Sequence, residues 1–165
     1  MLETDKLIQI NNDLRTITVP AAVQHLGVFG EDNVHRLYFC MPRKYGETDL
    51  ADFTIKINFV NAAKQGDIYR VEDASTTENY IKFSWRIRRT VTAAPGKVQF
   101  SVCLKKYDES AVVQQEFNTV YTTLPVLEGL ETTELVVQQN PDVLEALWNK
   151  QNIAVCIEND TFIVK

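Results

Sequence analysis

Four stretches of this sequence alternate apolar and polar residues at every second position, and that period of two constrains the fold more than any other feature. In YIKFSWRIRR, from Tyr80 to Arg89, Ile81, Phe83, Trp85 and Ile87 fall on one side, while Lys82, Ser84, Arg86 and Arg88 fall on the other. Successive side chains of a β-strand point to opposite faces, so a strand sorts this segment into two clean sets where a helix would scatter them. Rings and positive charges that are neighbours in sequence therefore end on opposite faces. A platform for single-stranded nucleic acid needs exposed rings beside cations, and this geometry sends the rings into a core.

The other three stretches repeat the pattern. FTIKINFVNA sets Phe53, Ile55, Ile57 and Phe59 against Thr54, Lys56, Asn58 and Val60. After a Pro95-Gly96 turn pair, Val98, Phe100, Val102 and Leu104 oppose Gln99, Ser101, Cys103 and Lys105, which puts Cys103 on the polar face. VHRLYFCMP opposes Leu37, Phe39 and Met41 to Arg36, Tyr38 and Cys40 and stops at Pro42. Weaker signals add an edge strand in LRTITVP (Leu14, Ile17 and Val19, closed by Pro20), a short run IYRV, and one last strand before Pro125 and Gly129 with Phe117, Tyr121 and Val113 inward. AAVQHLGVFGEDN, RKYGETDLAD and EDASTTEN read as loops. Some seven strands with no helical period through residue 127 predict an all-β, antiparallel β-sandwich.

With 165 residues, 45% of them hydrophobic, the chain is long enough for one such core and short for two. The reading places a β-sandwich domain at residues 1–131 and a tail at 132–165. In the tail, NPDVLEALWNKQ offers Asn140 as N-cap, Pro141 at the first helical position, Asp142 in the first turn and Lys150 near the end, which predicts a short helix. IAVCIENDTFIVK then predicts a terminal β-hairpin around Glu158, Asn159 and Asp160. Neither unit is stable alone in water, so both must pack on something: the stripe Val143, Leu144, Leu147 and Trp148 is the candidate oligomer interface, with Trp148 capping the open end of the sandwich as the equal alternative.

Charge is unevenly spread along a chain of net charge -5. Residues 79 to 107 hold seven basic and no acidic side chains, whereas residues 108 to 165 hold two basic and ten acidic ones. Lys82, Arg86, Arg88 and Lys105 are the candidate basic contact face. A nucleic-acid-binding domain shows a strongly basic overall balance, which this chain lacks, so no nucleic-acid partner is expected. The N-terminus has neither the basic start nor the apolar run of a signal peptide, and no stretch approaches the ~18 apolar residues of a membrane span. No membrane partner and no export are expected.

Chemistry-bearing patterns are missing. His25 and His35 lack the spacing that brings two imidazoles to one metal, and no GxSxG elbow or comparable nucleophile context occurs. The acid pairs Asp49 with Asp52, Glu72 with Asp73 and Glu158 with Asp160 do not match a calcium loop and read as solvated turns. Cys40, Cys103 and Cys156, an odd and scattered set, read as free thiols of a reducing compartment. No catalytic, metal-binding or cofactor-binding residue is assigned, and the chain is read as a protein that is not an enzyme. Scattered tyrosines, Tyr38, Tyr45, Tyr69 and Tyr107, leave a carbohydrate-binding sandwich as the alternative.

The ordered set TITVP, HLGVFGEDNVHRLYFCMPR, DLADFTIKINFVNA, GDIYRVED, IKFSWRIRRTVTAAPGKVQFSVCLKK and VLEGLE, across residues 14 to 131, resembles the N-terminal domain of the baseplate upper protein family and related receptor-binding-apparatus proteins of phages of Gram-positive bacteria. The resemblance implies an immunoglobulin-like β-sandwich in a virion, assembled in the bacterial host cytoplasm. Its partners would be other virion proteins and further copies of itself, a trimer being favoured. No long receptor-binding portion follows the sandwich, which points to a baseplate or fibre connector, or to a capsid-decorating head fibre protein.

Overall fold

The computed structural model of the protein describes residues 4–129. The expected tail helix and hairpin, with Val143, Leu144, Leu147 and Trp148, lie outside the described residues. The chain from Thr4 to Glu128 is almost wholly β: β1 (Leu7–Asn11), β2 (Thr16–Thr18), β3 (Arg36–Pro42), β4 (Lys44–Tyr45), β5 (Thr48–Asp49), β6 (Thr54–Val60), β7 (Gly66–Arg70), β8 (Ser75–Thr76), β9 (Tyr80–Arg86), β10 (Gly96–Tyr107), β11 (Val113–Asn118) and β12 (Thr122–Val126), with two 3-10 turns at Thr4–Lys6 and Leu50–Asp52. One sheet runs β2-β1-β3-β9-β8, a second runs β11-β10-β6-β7 with β12 also on β10, and β4 pairs with β5.

The four alternating stretches become the middle strands of the two sheets. Leu37, Phe39 and Met41 of β3 and Ile81, Phe83 and Trp85 of β9 are buried, as are Ile55, Ile57 and Phe59 of β6 and Val98, Phe100, Val102 and Leu104 of β10. Both sets belong to one apolar cluster. Trp85, with no exposed surface, lies 5.6 Å from the Phe59 ring and 5.0 Å from the Phe100 ring, centroid to centroid. Phe59 and Phe100 are register partners across β6 and β10, so one tryptophan from the first sheet rests on a ring pair of the second. Phe39 stacks on Phe83 at 5.0 Å and meets Phe100 edge-on at 6.4 Å. Offset and edge contacts of this kind add about 0.5–1.5 kcal/mol each beyond the area buried.

Several expectations need correction. The first sheet is not wholly antiparallel, because β1 runs parallel to β3, with Ile8 opposite Phe39. The intervening 24 residues supply the long connection that a parallel pair requires. The strand LIQIN was not expected, yet Ile8 and Ile10 are core. Leu14, read as part of the strand LRTITVP, precedes β2 and is 68% exposed. It sits in a turn closed by the Asn11 side chain, which accepts from the Asp13 and Leu14 amides at 3.0 and 2.9 Å.

The expected single last strand is two strands. Thr119 interrupts it: its amide donates to Val102 O and its hydroxyl accepts from Val102 N, each at 3.0 Å. The hydroxyl stands where a backbone carbonyl would continue the ladder, and the period is reset. Phe117 is buried, but Val113 (41%) and Tyr121 (63%) face water. EDASTTEN contains β8, and the glycine-rich segment read as a loop runs beside the end of β12, with Leu26 N donating to Pro125 O, Leu127 N to Gly27 O and Phe29 N to Leu127 O. Cys40 and Cys103 point outward from their strands yet are buried, and burial pushes both thiols up from their ordinary range.

Because, among the described residues, Trp85 is the one ring that touches both Phe59 and Phe100, Trp85→Ala opens a cavity between the sheets. It is expected to cost about 3–5 kcal/mol in denaturant-induced unfolding, whereas Tyr121→Ala changes stability by less than about 0.5 kcal/mol.

Candidate interaction surfaces

The four candidate basic residues do not share one face. Lys82 and Arg86 lie on the outer side of β9 and Arg88 follows its end, while Lys105 lies on the outer side of β10, in the other sheet. Since the buried sides of the two sheets meet in one core, these outer sides look in opposite directions.

Two of the four are matched by carboxylates of the same domain. Arg88 Nε donates to Asp32 Oδ1 at 2.9 Å, and the Arg89 amide donates to the same oxygen at 3.0 Å. The Arg88 hydrogen bond is the main reason that Asp32 titrates below the usual carboxylate range. Lys105 Nζ is 4.0 Å from Glu116 Oε1 on the neighbouring β11. The basic block of the sequence is thus partly neutralised by acids that lie far from it in sequence. Lys82 and Arg86 form no ion pair among the described residues.

Asp73 anchors the rim of the first sheet. β8 pairs with β9 only at Ser75 and Thr76, so the ladder stops short of Ser84. The Asp73 carboxylate takes over there, accepting from Ser84 N at 3.1 Å, from the Ser84 hydroxyl, and from Arg36 Nη1 at 3.4 Å. The acid pairs read as turns are likewise structural where they are described. Asp49 accepts from Arg43 Nε and Nη2, both at 2.9 Å, and from Ala51 N at 3.0 Å. These bonds, the Arg43 pair foremost, bring its carboxyl down to about 2. Among the described residues no group of three or more His, Cys, Asp or Glu could hold a metal ion.

A groove of about 310 Å³ lies between β4, β5 and β11, lined by Arg15, Tyr45, Thr48, Leu50, Gln115 and Glu116 among others. The Arg15 guanidinium sits 4.6 Å from the Tyr45 ring centre and 4.2 Å from that of Phe117, while Nε donates to Asn12 O at 2.9 Å. Arg15 adopts φ of +62°, a left-handed conformation that side chains disfavour, and the two rings and the hydrogen bonds hold it there. Nothing in the alternation of LRTITVP signals this clasp, because Arg15 falls in the turn and its partners lie 30 and 102 residues away. The tyrosines do not form one platform: Tyr38 is in the first sheet, Tyr107 in the second, Tyr45 in the short hairpin, and Tyr69 packs partly into the core.

His25 and His35, unremarkable by spacing, stack with ring centres 5.2 Å apart. His25 Nδ1 accepts from Gly27 N at 2.9 Å, and His35 Nε2 donates to His25 O at 3.2 Å. Gly27 has φ of +106°, a conformation that favours glycine, and a Cβ there would also displace the Glu31 carboxylate, 2.7 Å away. Burial, then the neighbouring His25, lowers the His35 pKa from 6.5.

No protein-family model matches the chain, and no curated protein matches it in sequence.

Two pH responses follow from these groups. Asp49 is depressed by folding, so its stabilising effect is complete above about 3.9 and is lost as pH falls through about 2. The melting temperature of Asp49→Asn should lie below that of the wild type at pH 7 and converge with it in that acid window. His35 takes up a proton less readily in the folded chain than in the unfolded one, so stability should fall as pH drops below about 6.5. Melting curves of His35→Gln should show a flatter dependence between neutrality and pH 5.

Proposed function

We propose that this chain is a structural protein of a phage particle, a baseplate or fibre connector, that works by holding other virion proteins and changes none of them chemically. The observation that carries the protein-contact part is an apolar patch at one edge of the domain. Leu14, Val120 and Tyr121 are 68%, 55% and 63% exposed, and the Val120 amide donates to Arg15 O at 2.8 Å, which brings the two loops that bear them together. Exposed apolar side chains that cluster on an ordered edge are the usual substance of protein–protein contacts. The resemblance in the strand motifs of residues 14 to 131 supports the phage setting and an immunoglobulin-like sandwich, and two sheets with one shared core suit that fold. Head or tail, the particle would receive the protein as a symmetric oligomer, with a trimer favoured. Val143, Leu144, Leu147 and Trp148 are the proposed second part of the subunit contact.

A carbohydrate-binding role is the second reading, favoured by the groove beside Tyr45, where an aromatic ring meets Thr48, Gln115 and Glu116. Binding of cell-wall oligosaccharides that disappears in Tyr45→Ala would move the assignment there.

Native mass spectrometry of the full chain tests the first reading. A trimer is expected, weakened at least about tenfold by Tyr121→Asp and lost on deletion of residues 132–165. A monomer at every concentration, with no association to other virion proteins, would sink it.

A further inference from the structure

The outer side of the first sheet carries three cations and too few acids. Arg36 and Arg86 are register partners on β3 and β9, and both alternate with inward residues, Leu37 and Trp85. Two like charges directly opposite each other on one sheet face are unfavourable. Arg36 is partly relieved by Asp73 at 3.4 Å. Arg86 has no such relief, since its Nε is buried and has no hydrogen-bond acceptor among the described residues. Lys82 lies four residues along the same face, roughly 13 Å away at strand rise, beside a cleft of about 180 Å³ lined by Leu7, Tyr38, Asp73 and Ser75. The other outward positions in register, Leu7, Gln9, Tyr38, Cys40, Ser75 and Ser84, bring no carboxylate.

We propose that this face, made by Arg36, Lys82 and Arg86, docks an extended acidic polypeptide segment, whose carboxylates sit over Arg86 and over Lys82. An extended segment rises by the same amount per residue as the strand beneath it, so acidic side chains four apart match the two cations. Arg86 is half-buried and has no acidic partner among the described residues, and the accessible part of such a guanidinium gains from a carboxylate through charge-assisted hydrogen bonds. Apolar and aromatic surface from Tyr38 and Leu7, on the neighbouring strands and level with Ser84, lies beside the two cations and suits a polypeptide. A polynucleotide suits the face less, because it brings a charge at every step, whereas a polypeptide can place an uncharged residue over Asp73, which stands between Lys82 and Arg86. The inference rests on the protein-contact reading for the class of its occupant and on no assumption about the number of subunits.

The test is fluorescence anisotropy of the folded full chain with a labelled synthetic peptide that carries glutamate at every fourth position and threonine elsewhere. Controls are the same peptide with glutamine for glutamate and single-stranded DNA of equal charge. The glutamate peptide should bind, weaken as salt is raised, and lose about tenfold in affinity in Lys82→Glu, an exposed position that leaves the core untouched. Arg86→Gln should do the same, with near-ultraviolet circular dichroism reporting an intact Trp85 environment. Lys97→Glu, an equal charge change on the second sheet, should have no effect. Equal binding of the glutamine peptide, tighter binding of DNA, or insensitivity to Lys82→Glu would overturn the proposal. Failure of the peptide alongside an intact trimer would overturn this inference and leave the protein-contact reading standing, whereas a monomer that binds the peptide would do the reverse.

Discussion

Trp85 resting on the Phe59–Phe100 pair is the contact on which the rest of this domain depends. The two sheets share no ladder hydrogen bonds, so their facing surfaces are held together by side chains, the largest of which is the indole, with backbone bonds between them confined to the edges. Phe39 and Phe83 stack within the first sheet and reach the second through Phe100, which makes Phe100 the common neighbour of both aromatic groups. Burying a large apolar side chain stabilises a fold by about 1.5–3 kcal/mol, and five rings concentrated on four central strands give this core its definition. The indole N–H finds no acceptor among the described residues. That cost, about 1–3 kcal/mol for an unsatisfied buried donor, is borne inside the contact that excludes water best.

With the sheets held this way, the pleat decides what remains for the outside. Each inward residue fixes the direction of its neighbours, so Trp85 turns Ser84 and Arg86 away from the core, and Leu104 turns Cys103 and Lys105 to the opposite side, although Ser84 and Cys103 are covered there. The outward charges are treated differently on the two sides. On the second sheet Lys105 meets Glu116 from the adjoining strand; on the first, Asp73 serves Arg36 and Ser84 while Arg86 is left over. Surface ion pairs of this sort contribute little to stability. Their effect is to define which cations are already answered within the domain.

The parts legible in the sequence were those governed by the shortest period. Every inward residue assigned to the strands from Leu37, Phe53, Ile81 and Val98 onward is buried, because alternation over seven or more residues admits one orientation. The parts that were not legible depend on partners remote in sequence. LIQIN is too short to separate from noise until β3 lies beside it, and Thr119 breaks a strand through a side chain that mimics a carbonyl. Arg15 is held by Tyr45 and Phe117, and His25 meets His35 across a turn. Cys40 and Cys103 were placed outward correctly in direction but not in exposure, since period reports the side of a sheet and not what covers it. Lys105 joined the basic block by sequence proximity and left it when β9 and β10 went to different sheets.

The strip from Leu26 to Phe29, hydrogen-bonded to Pro125 and Leu127, ties a segment near the start of the chain to the last strand of the domain. During synthesis from the N-terminus, the bonds from that strip to Pro125 and Leu127 cannot form until residue 127 has emerged, although its local bonds to His25 and Glu31 can. The histidine stack that braces the same strip is local, and the Glu31–Thr92 hydrogen bond needs only residue 92, so the bonds to β12 come last. The domain closes like a clasp whose two halves are made at opposite ends of its translation, so a chain interrupted before β12 would carry both sheets and leave one end of its core open.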